Sequence, residues 1–455
     1  MDNILEFLGT YGSNLRYEDL PAGTVHKVKR LVIDTLGCAI GSYNMEPPRI
    51  AREHALEVTS VNGATVLGTR HRSSPEHAAF ANAVMARYFD MNDTSMSAKS
   101  GHTSDCIPAV LAAAEYAGCD MHNTIAATVL AYEIHDRFGA VCGDVRVNGW
   151  DYVIYTSLAS AGGAAKAMRL NKQQIAHALA IATIPNAAMN QTRAGNLSMW
   201  KGCAGPNAGR NGLFAALLAK RGLTGPDQAF EGTRGFKRML GASFELPPFG
   251  GGDVPYSIET AKFKCFPCDY EAQCSITPAL ELHRKLDGQI DQIAKVEVET
   301  YEFAIEIAAD TADKWNPATR ETADHSIPYV VAVALVKGAV WLDDFTEERI
   351  GDPQVRALMQ KIQVRAAEDC TRAWPDAYPF RITVTTTSGE QHVSAVHYAK
   401  GHPKNPLTDQ EVEAKFRRLA EPVLGPGKAS KVVNELWKLE SIKDVRELLQ
   451  LFALD

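Results

Sequence analysis

A length of 455 residues exceeds what one hydrophobic core usually serves, so two domains are expected. With 45% hydrophobic and 22% charged residues, the composition is that of an ordinary soluble globular chain. The net charge of −7 argues against the basic excess by which proteins hold nucleic acid, yet leaves room for a locally positive pocket and an anionic substrate.

In chain order, Met1-Asp2-Asn3-Ile4-Leu5-Glu6 places acids where a secretory leader carries positive charge, and no long apolar run follows. Apolar residues recur at helical spacing over residues 25–40, 77–89, 107–117 and 124–138. Residues 157–168, 172–182 and 205–220 are rich in Ala and Gly, which predicts helices packed at close range. Pro247-Pro248-Phe249-Gly250-Gly251-Gly252 is a breaker cluster that marks a loop. Beyond it the pattern mixes. Residues 294–301 alternate as a half-buried strand does, 361–365 form a shorter strand candidate, and 381–387 with 391–398 read as a hairpin around Ser388-Gly389-Glu390. Helices are expected at 274–285 and 327–337, and the helical pattern returns from Thr408 onward. The most apolar stretch, residues 327–341, is interrupted by Lys337 and too short to span a bilayer comfortably, so a cytoplasmic protein without a membrane segment is expected. The fold class is therefore mainly α: a large helical domain from residues 1–265 and 403–455, with a smaller α/β domain inserted at 266–402.

Nine cysteines, odd in number and scattered, read as reduced buried thiols rather than a disulfide framework. Cys265, Cys268 and Cys274 invite an iron–sulfur reading, but the lack of a second close cysteine pair argues for no metal. Gly250-Gly251-Gly252 lacks the Gly-Lys-Ser/Thr of a phosphate loop.

The densest polar cluster is Asp90-Met91-Asn92-Asp93-Thr94 followed by Gly101-His102-Thr103-Ser104-Asp105, set between two apolar helices. Asp90, Asp93 and Thr94 share one face if the helical turn continues; the same residues also suit a cap and a solvated loop. His102 is the histidine best placed for proton transfer near neutral pH. Lys201 in Met199-Trp200-Lys201-Gly202 and Lys264 in Lys262-Phe263-Lys264-Cys265 are candidate carboxylate anchors, or else surface lysines. Tyr329 opens the apolar helix at 327–337 and suits a core role equally well.

These blocks resemble, over nearly the whole chain, the MmgE/PrpD family of 2-methylcitrate dehydratases. Arg30 to Cys38 resembles that family's opening helix, and Asp90-x-Asn92-Asp93-Thr94 with Gly101-His102-x-Ser104-Asp105 its first active-site segment. Gly149-Trp150-Asp151, Met199 to Gly202, Lys262 to Pro267, Arg320 to Tyr329 and Lys400-Gly401-His402-Pro403 follow in the expected order. The resemblance implies a helical domain built from both chain ends, an α/β lid, a homodimer, a cleft active site and no metal or organic cofactor. By likeness to the related cis-aconitate decarboxylases, it assigns functional roles to Asp90, Thr94, His102, Lys201, Lys264 and Tyr329, with Asp93 and Asp151 as further substrate-binding candidates. Where dehydratases carry Gly-x-Asp-His, this chain has Gly149-Trp150-Asp151-Tyr152, so Asp151 fits and Tyr152 departs. The implied reaction is loss of water from a small polycarboxylate, with decarboxylation of cis-aconitate or epimerisation of a dicarboxylate as alternatives on the same scaffold. His102 and Asp90 would share proton transfer, the lysines would clamp carboxylates, and Thr94 and Tyr329 would hydrogen-bond the substrate.

Overall fold

The computed structural model describes residues 1–95, 101–186, 188–195 and 197–454. The N-terminal periodicities fold into α1 (Asn3–Asn14), α2 (Ala22–Gly41) and α3 (Glu46–Leu56), then a short antiparallel pair, β1 (Ala64–Thr65) and β2 (Arg72–Ser73). There follow α4 (Pro75–Arg87), α5 (Ile107–Ala117), α6 (Met121–Val141), α7 (Val153–Ala167), α8 (Lys172–Thr183) and α9 (Ala204–Lys220). Local chemistry sets their ends. Asp2 and Asp120 accept from backbone amides at the starts of α1 and α6, Asn171 and Gln174 form a capping box on α8, and Gly118 closes α5 in the left-handed region.

The small residues of the sequence mark the tightest packing. A Cβ on Gly212 of α9 would lie 2.3 Å from the Ser157 carbonyl of α7, so these helices meet backbone to backbone. One apolar core collects side chains from residues 4–263 and again from 407–452. A second core draws on residues 268–399.

The second core packs α10 (Tyr270–Leu286) and α11 (Ile327–Lys337) with a sheet of β3 (Ile293–Thr300), β4 (Ile362–Ala366), β5 (Phe380–Thr386) and β6 (Gln391–Val396). The order is β4-β3-β5-β6, with β3 and β4 parallel and the other pairs antiparallel. Phe380, Ile382 and Val384 of β5 are buried and alternate with partly exposed residues, as period-2 patterning requires. The chain then rejoins the first core through α12 (Asp409–Leu424), α13 (Pro426–Leu436) and α14 (Val445–Gln450). The fold is mainly α with a smaller α/β part. Among the described residues no helix is long and apolar enough to cross a membrane.

The two cores are joined at the extended segment 262–264. Lys262 exchanges two backbone hydrogen bonds of 2.9 Å with Thr94, and the Phe263 amide donates to Gly401 at 3.0 Å. Gly401 has φ +97°, and a Cβ there would come within 2.2 Å of the Phe263 carbonyl, so the crossing requires glycine. In an extended segment alternate side chains point to opposite sides. Phe263 is therefore buried in the helical core, under Lys27 and Arg30, while Lys262 and Lys264 turn together into the cleft.

Candidate active site

That cleft holds a cavity of about 480 Å³. The helical body contributes Arg87, Thr94, His102, Tyr152, Arg193 and Lys201 to its wall, and the second core contributes Asp269, Tyr270, Glu271, His325 and Tyr378. Lys262 and Lys264 enter from the junction.

Asp90 lies behind this wall, 1% exposed, with φ +53° in the left-handed region. That conformation is uncommon outside glycine but tolerated by Asp. Its carboxylate accepts from Arg87 and Lys201, each at 2.8 Å, and from Lys264. His102 Nε2 stands 3.5 Å away. Burial alone raises a carboxyl pKa, but Arg87, Lys201, Lys264 and His102 outweigh it and hold Asp90 well below the usual carboxylate range.

His102 is oriented by a bond of 2.7 Å from Nδ1 to the Asp93 carbonyl. A carbonyl only accepts, so Nδ1 carries the proton and Nε2 has the lone pair in the neutral ring. Burial, with Arg87 and Lys264 nearby, pushes the His102 pKa well below the usual imidazole value against the opposing pull of Asp90. The result is an imidazole in the cavity wall whose neutral form is favoured.

Lys201 is 4% exposed and lies within the short turn Met199–Gly202. Its ammonium lies 2.8 Å from Asp90, 3.3 Å from His325 Nδ1 and 3.5 Å from Asp324. Asp90, Asp324 and His325 offer ligand atoms within 4.8 Å of one another, the arrangement of a cation site. The lysine ammonium contacts all three, so a protein cation already sits among them. Among the described residues, no such group includes Cys265, Cys268 or Cys274. Burial raises all three thiols, Cys265 to about 11.

On the opposite wall Lys262 lies over the rings of Tyr270 and Tyr378, 4.4 and 4.1 Å from their centroids, and donates to the Tyr378 hydroxyl at 2.7 Å. Burial lowers its pKa to about 8, and burial followed by Asp269 raises Glu271 to about 8.

Of the residues singled out from sequence, the structure brings Thr94, His102, Lys201 and Lys264 to the cavity, with Asp90 behind them. Asp93 is buried one layer back, accepting from the Ser104 amide at 2.9 Å and the Tyr132 hydroxyl at 2.6 Å, and so fixes the loop that carries His102. Asp151 is also behind the wall. It accepts from Arg193 at 3.0 Å and aims that guanidinium across the Tyr152 ring, 4.3 Å from its centroid. Tyr329 is not brought to the cavity. It lies in the second core against Phe345, and its hydroxyl donates to the Asp344 carbonyl.

Sequence reasoning missed Arg87, Lys262, Arg193, Tyr152 and His325 as site residues. Arg87 lies three residues before Asp90 and Lys262 two before Lys264, spacings that share a face on a helix and a strand respectively. His325 stood inside a matching block beside Asp324. Arg193 lies in a short turn (Asn190–Arg193) with no local signal. Tyr152 presses on Gly101, where a Cβ would come 1.7 Å from the ring, so the two residues specify one another.

A cation-lined cleft with a buried imidazole in its wall, set between a helical body and an α/β core, is the kind of pocket in which an enzyme holds a small molecule. The MmgE/PrpD N-terminal domain matches residues 6–248, and the MmgE/PrpD C-terminal domain matches residues 266–439. The chain belongs to the MmgE/PrpD family. It is 30% identical over 352 residues to the mitochondrial 2-methylcitrate dehydratase of Yarrowia lipolytica, covering 73% of this chain and 66% of that one. With the 2-methylcitrate dehydratase of Salmonella typhimurium it shares 29% over 398 residues, 82% and 81% of the two chains. With the cis-aconitate decarboxylase-like protein oryM of Aspergillus oryzae it shares 25% over 489 aligned positions, 99% and 97% of the two. Its place among these relatives makes it a lyase of the dehydratase type.

Proposed function

We propose that this enzyme removes water from a small polycarboxylate such as 2-methylcitrate, without a metal or organic cofactor. The observation that carries this reading is the set of Arg87, Lys201 and Lys264 around Asp90, directly beside the unprotonated Nε2 of His102. Taking a proton from carbon next to a carboxylate builds a second negative charge on that group, which needs fixed cations in a water-poor site. Each lysine ammonium has three N–H donors, so binding Asp90 leaves donors for a substrate carboxylate. His102 Nε2 then takes the proton, and Asp90 steadies the imidazolium that forms. Thr94 and Tyr152 line the same wall and orient the substrate by hydrogen bonds. The second core acts as the lid, carrying Tyr270, Tyr378 and His325 onto the substrate and excluding water. A homodimer is part of this reading, and exposed Met199, Trp200 and Phe214 on the helical body offer apolar surface for a second copy.

The likeness to a cis-aconitate decarboxylase-like protein over nearly the full length supports decarboxylation as a second reading. Epimerisation would use the same carbanion. Incubation with a panel of tricarboxylates and dicarboxylates separates the three: loss of water with a new absorbing double bond, release of carbon dioxide, or stereochemical change at constant mass. Dehydration is expected. The His102→Ala enzyme should lose about 10²–10⁴-fold in kcat with little change in KM, and unchanged turnover would remove the base from the scheme.

A further inference from the structure

The elimination scheme lacks an acid, because a hydroxide leaves poorly and the departing oxygen needs a proton. His325 lies beside the Asp90 oxygen other than the one His102 approaches, and it moves no proton in that scheme. Its Nδ1 lies 2.5 Å from Asp324 Oδ1, and a carboxylate only accepts, so Nδ1 carries a proton. Lys201 approaches the same nitrogen at 3.3 Å, but the shorter contact sets its role, and Asp324 takes part of the ammonium charge at 3.5 Å. Nε2 faces two further carboxylates, Asp90 at 3.9 Å and Asp269 at 4.0 Å. Both nitrogens of this ring therefore look onto acceptor oxygens. His102 differs in its surroundings: it has one carboxylate, Asp90 at 3.5 Å, and a neutral carbonyl on Nδ1, with Arg87 and Lys264 as repelling neighbours. One cavity thus holds an imidazole arranged to receive a proton and another arranged to give one.

Resting on the dehydratase reading, we propose that His325 Nε2 is the proton donor to the departing hydroxyl. The proton passes to His102 Nε2 and leaves its electron pair on the carboxylate-stabilised carbanion, and that pair then forms the new double bond. The C–O bond breaks with its pair, and the oxygen takes the His325 proton and leaves as water. His102 ends charged and His325 neutral, and proton exchange with solvent restores both. Asp90, 3.5 Å from one ring and 3.9 Å from the other, remains a counter-charge for whichever histidine is positive.

The test compares His325→Gln with wild type in deuterium oxide, following exchange of the substrate C–H and loss of water separately. Water loss should fall about 10²–10⁴-fold, while exchange continues at the wild-type order of magnitude and reports a folded, working base. A substrate analogue with fluoride in place of the hydroxyl, which leaves without a proton, should restore elimination in the variant. Water loss at the wild-type rate would overturn the proposal. So would exchange and elimination falling together with no rescue by fluoride, since His325 would then be a positioning residue. A wild-type enzyme that exchanges the C–H but expels no water from any member of the panel fails in a different place. It would overturn the dehydratase reading, and this proposal with it, before any variant is measured.

Discussion

Five groups able to carry positive charge lie within 4 Å of the Asp90 carboxylate: Arg87, Lys201, Lys264, His102 and His325. Asp90 does not line the cavity, so its action is on its neighbours. In Asp90→Asn the shape is kept and the charge removed. Asp90 is the group that raises the proton affinity of His102, so its loss lowers an already depressed pKa. A base stays unprotonated to lower pH when its pKa falls, so the acid limb of kcat/KM should move to lower pH. The plateau should drop on the order of 10²–10⁴-fold, because the imidazolium formed during reaction loses its counter-charge. A pH–rate profile reads both, and a limb that moves upward would refute the assignment. His102 could be singled out from sequence as the imidazole of a polar cluster set between two apolar helices, and Lys201 and Lys264 as charged residues with apolar neighbours. Arg193 could not, since its direction comes from Asp151, forty-two residues distant in the chain.

At the scale of elements, periodicity identified most helices and the strands of the α/β part, because each buries one face against a single core and so repeats at 3.6 or 2 residues. The hairpin of β5 and β6 follows from alternation on both sides of Gly389. What periodicity could not supply was the pairing of distant backbones. The left-handed turn at Asp90, the bridge between Thr94 and Lys262 and the seating of Tyr329 all depend on partners remote in sequence. Close helix approach is one such pairing with a measurable consequence. On α2, a Cβ at Gly41 would lie 2.9 Å from the Leu419 carbonyl of α12, whereas Gly23 of the same helix has nothing within 4 Å. Alanine gains up to about 1 kcal/mol in helix propensity over glycine, but overpacking against a backbone costs about 1–3 kcal/mol. Gly41→Ala should therefore lower the denaturant midpoint while Gly23→Ala leaves it unchanged or raises it. Equal effects of the two would show that α12 yields to the added methyl.

The whole molecule is closed by its C-terminal return, which crosses back over the loop that carries Asp90. Lys415 on α12 places its ammonium 2.6 Å from Asp34 of α2 and 2.6 Å from the Met91 carbonyl, next to Asp90. The segment that follows the α/β core in sequence thus holds the loop that faces it in space. The second family match runs to residue 439, whereas the second core ends at residue 399, so the sequence unit and the packing unit divide the chain differently. Burial, opposed by Lys415, raises the Asp34 pKa to about 6, above its ordinary value of 3.8. An acid whose folded pKa is raised binds its proton more tightly when folded. Its contribution to stability is therefore greatest below pH 3.8 and is lost as the pH rises to 6 and beyond. In Lys415→Met the opposing charge is gone, the Asp34 pKa rises further, and the ionised carboxylate is left buried without a partner. The cost should be about 3–5 kcal/mol at pH 8. At pH 5 it should shrink, because Asp34 is then protonated in both proteins and there is little ion pair to lose. Urea unfolding of both proteins at the two pH values measures the difference, and a penalty independent of pH would show that Lys415 acts through packing and the Met91 carbonyl rather than through Asp34.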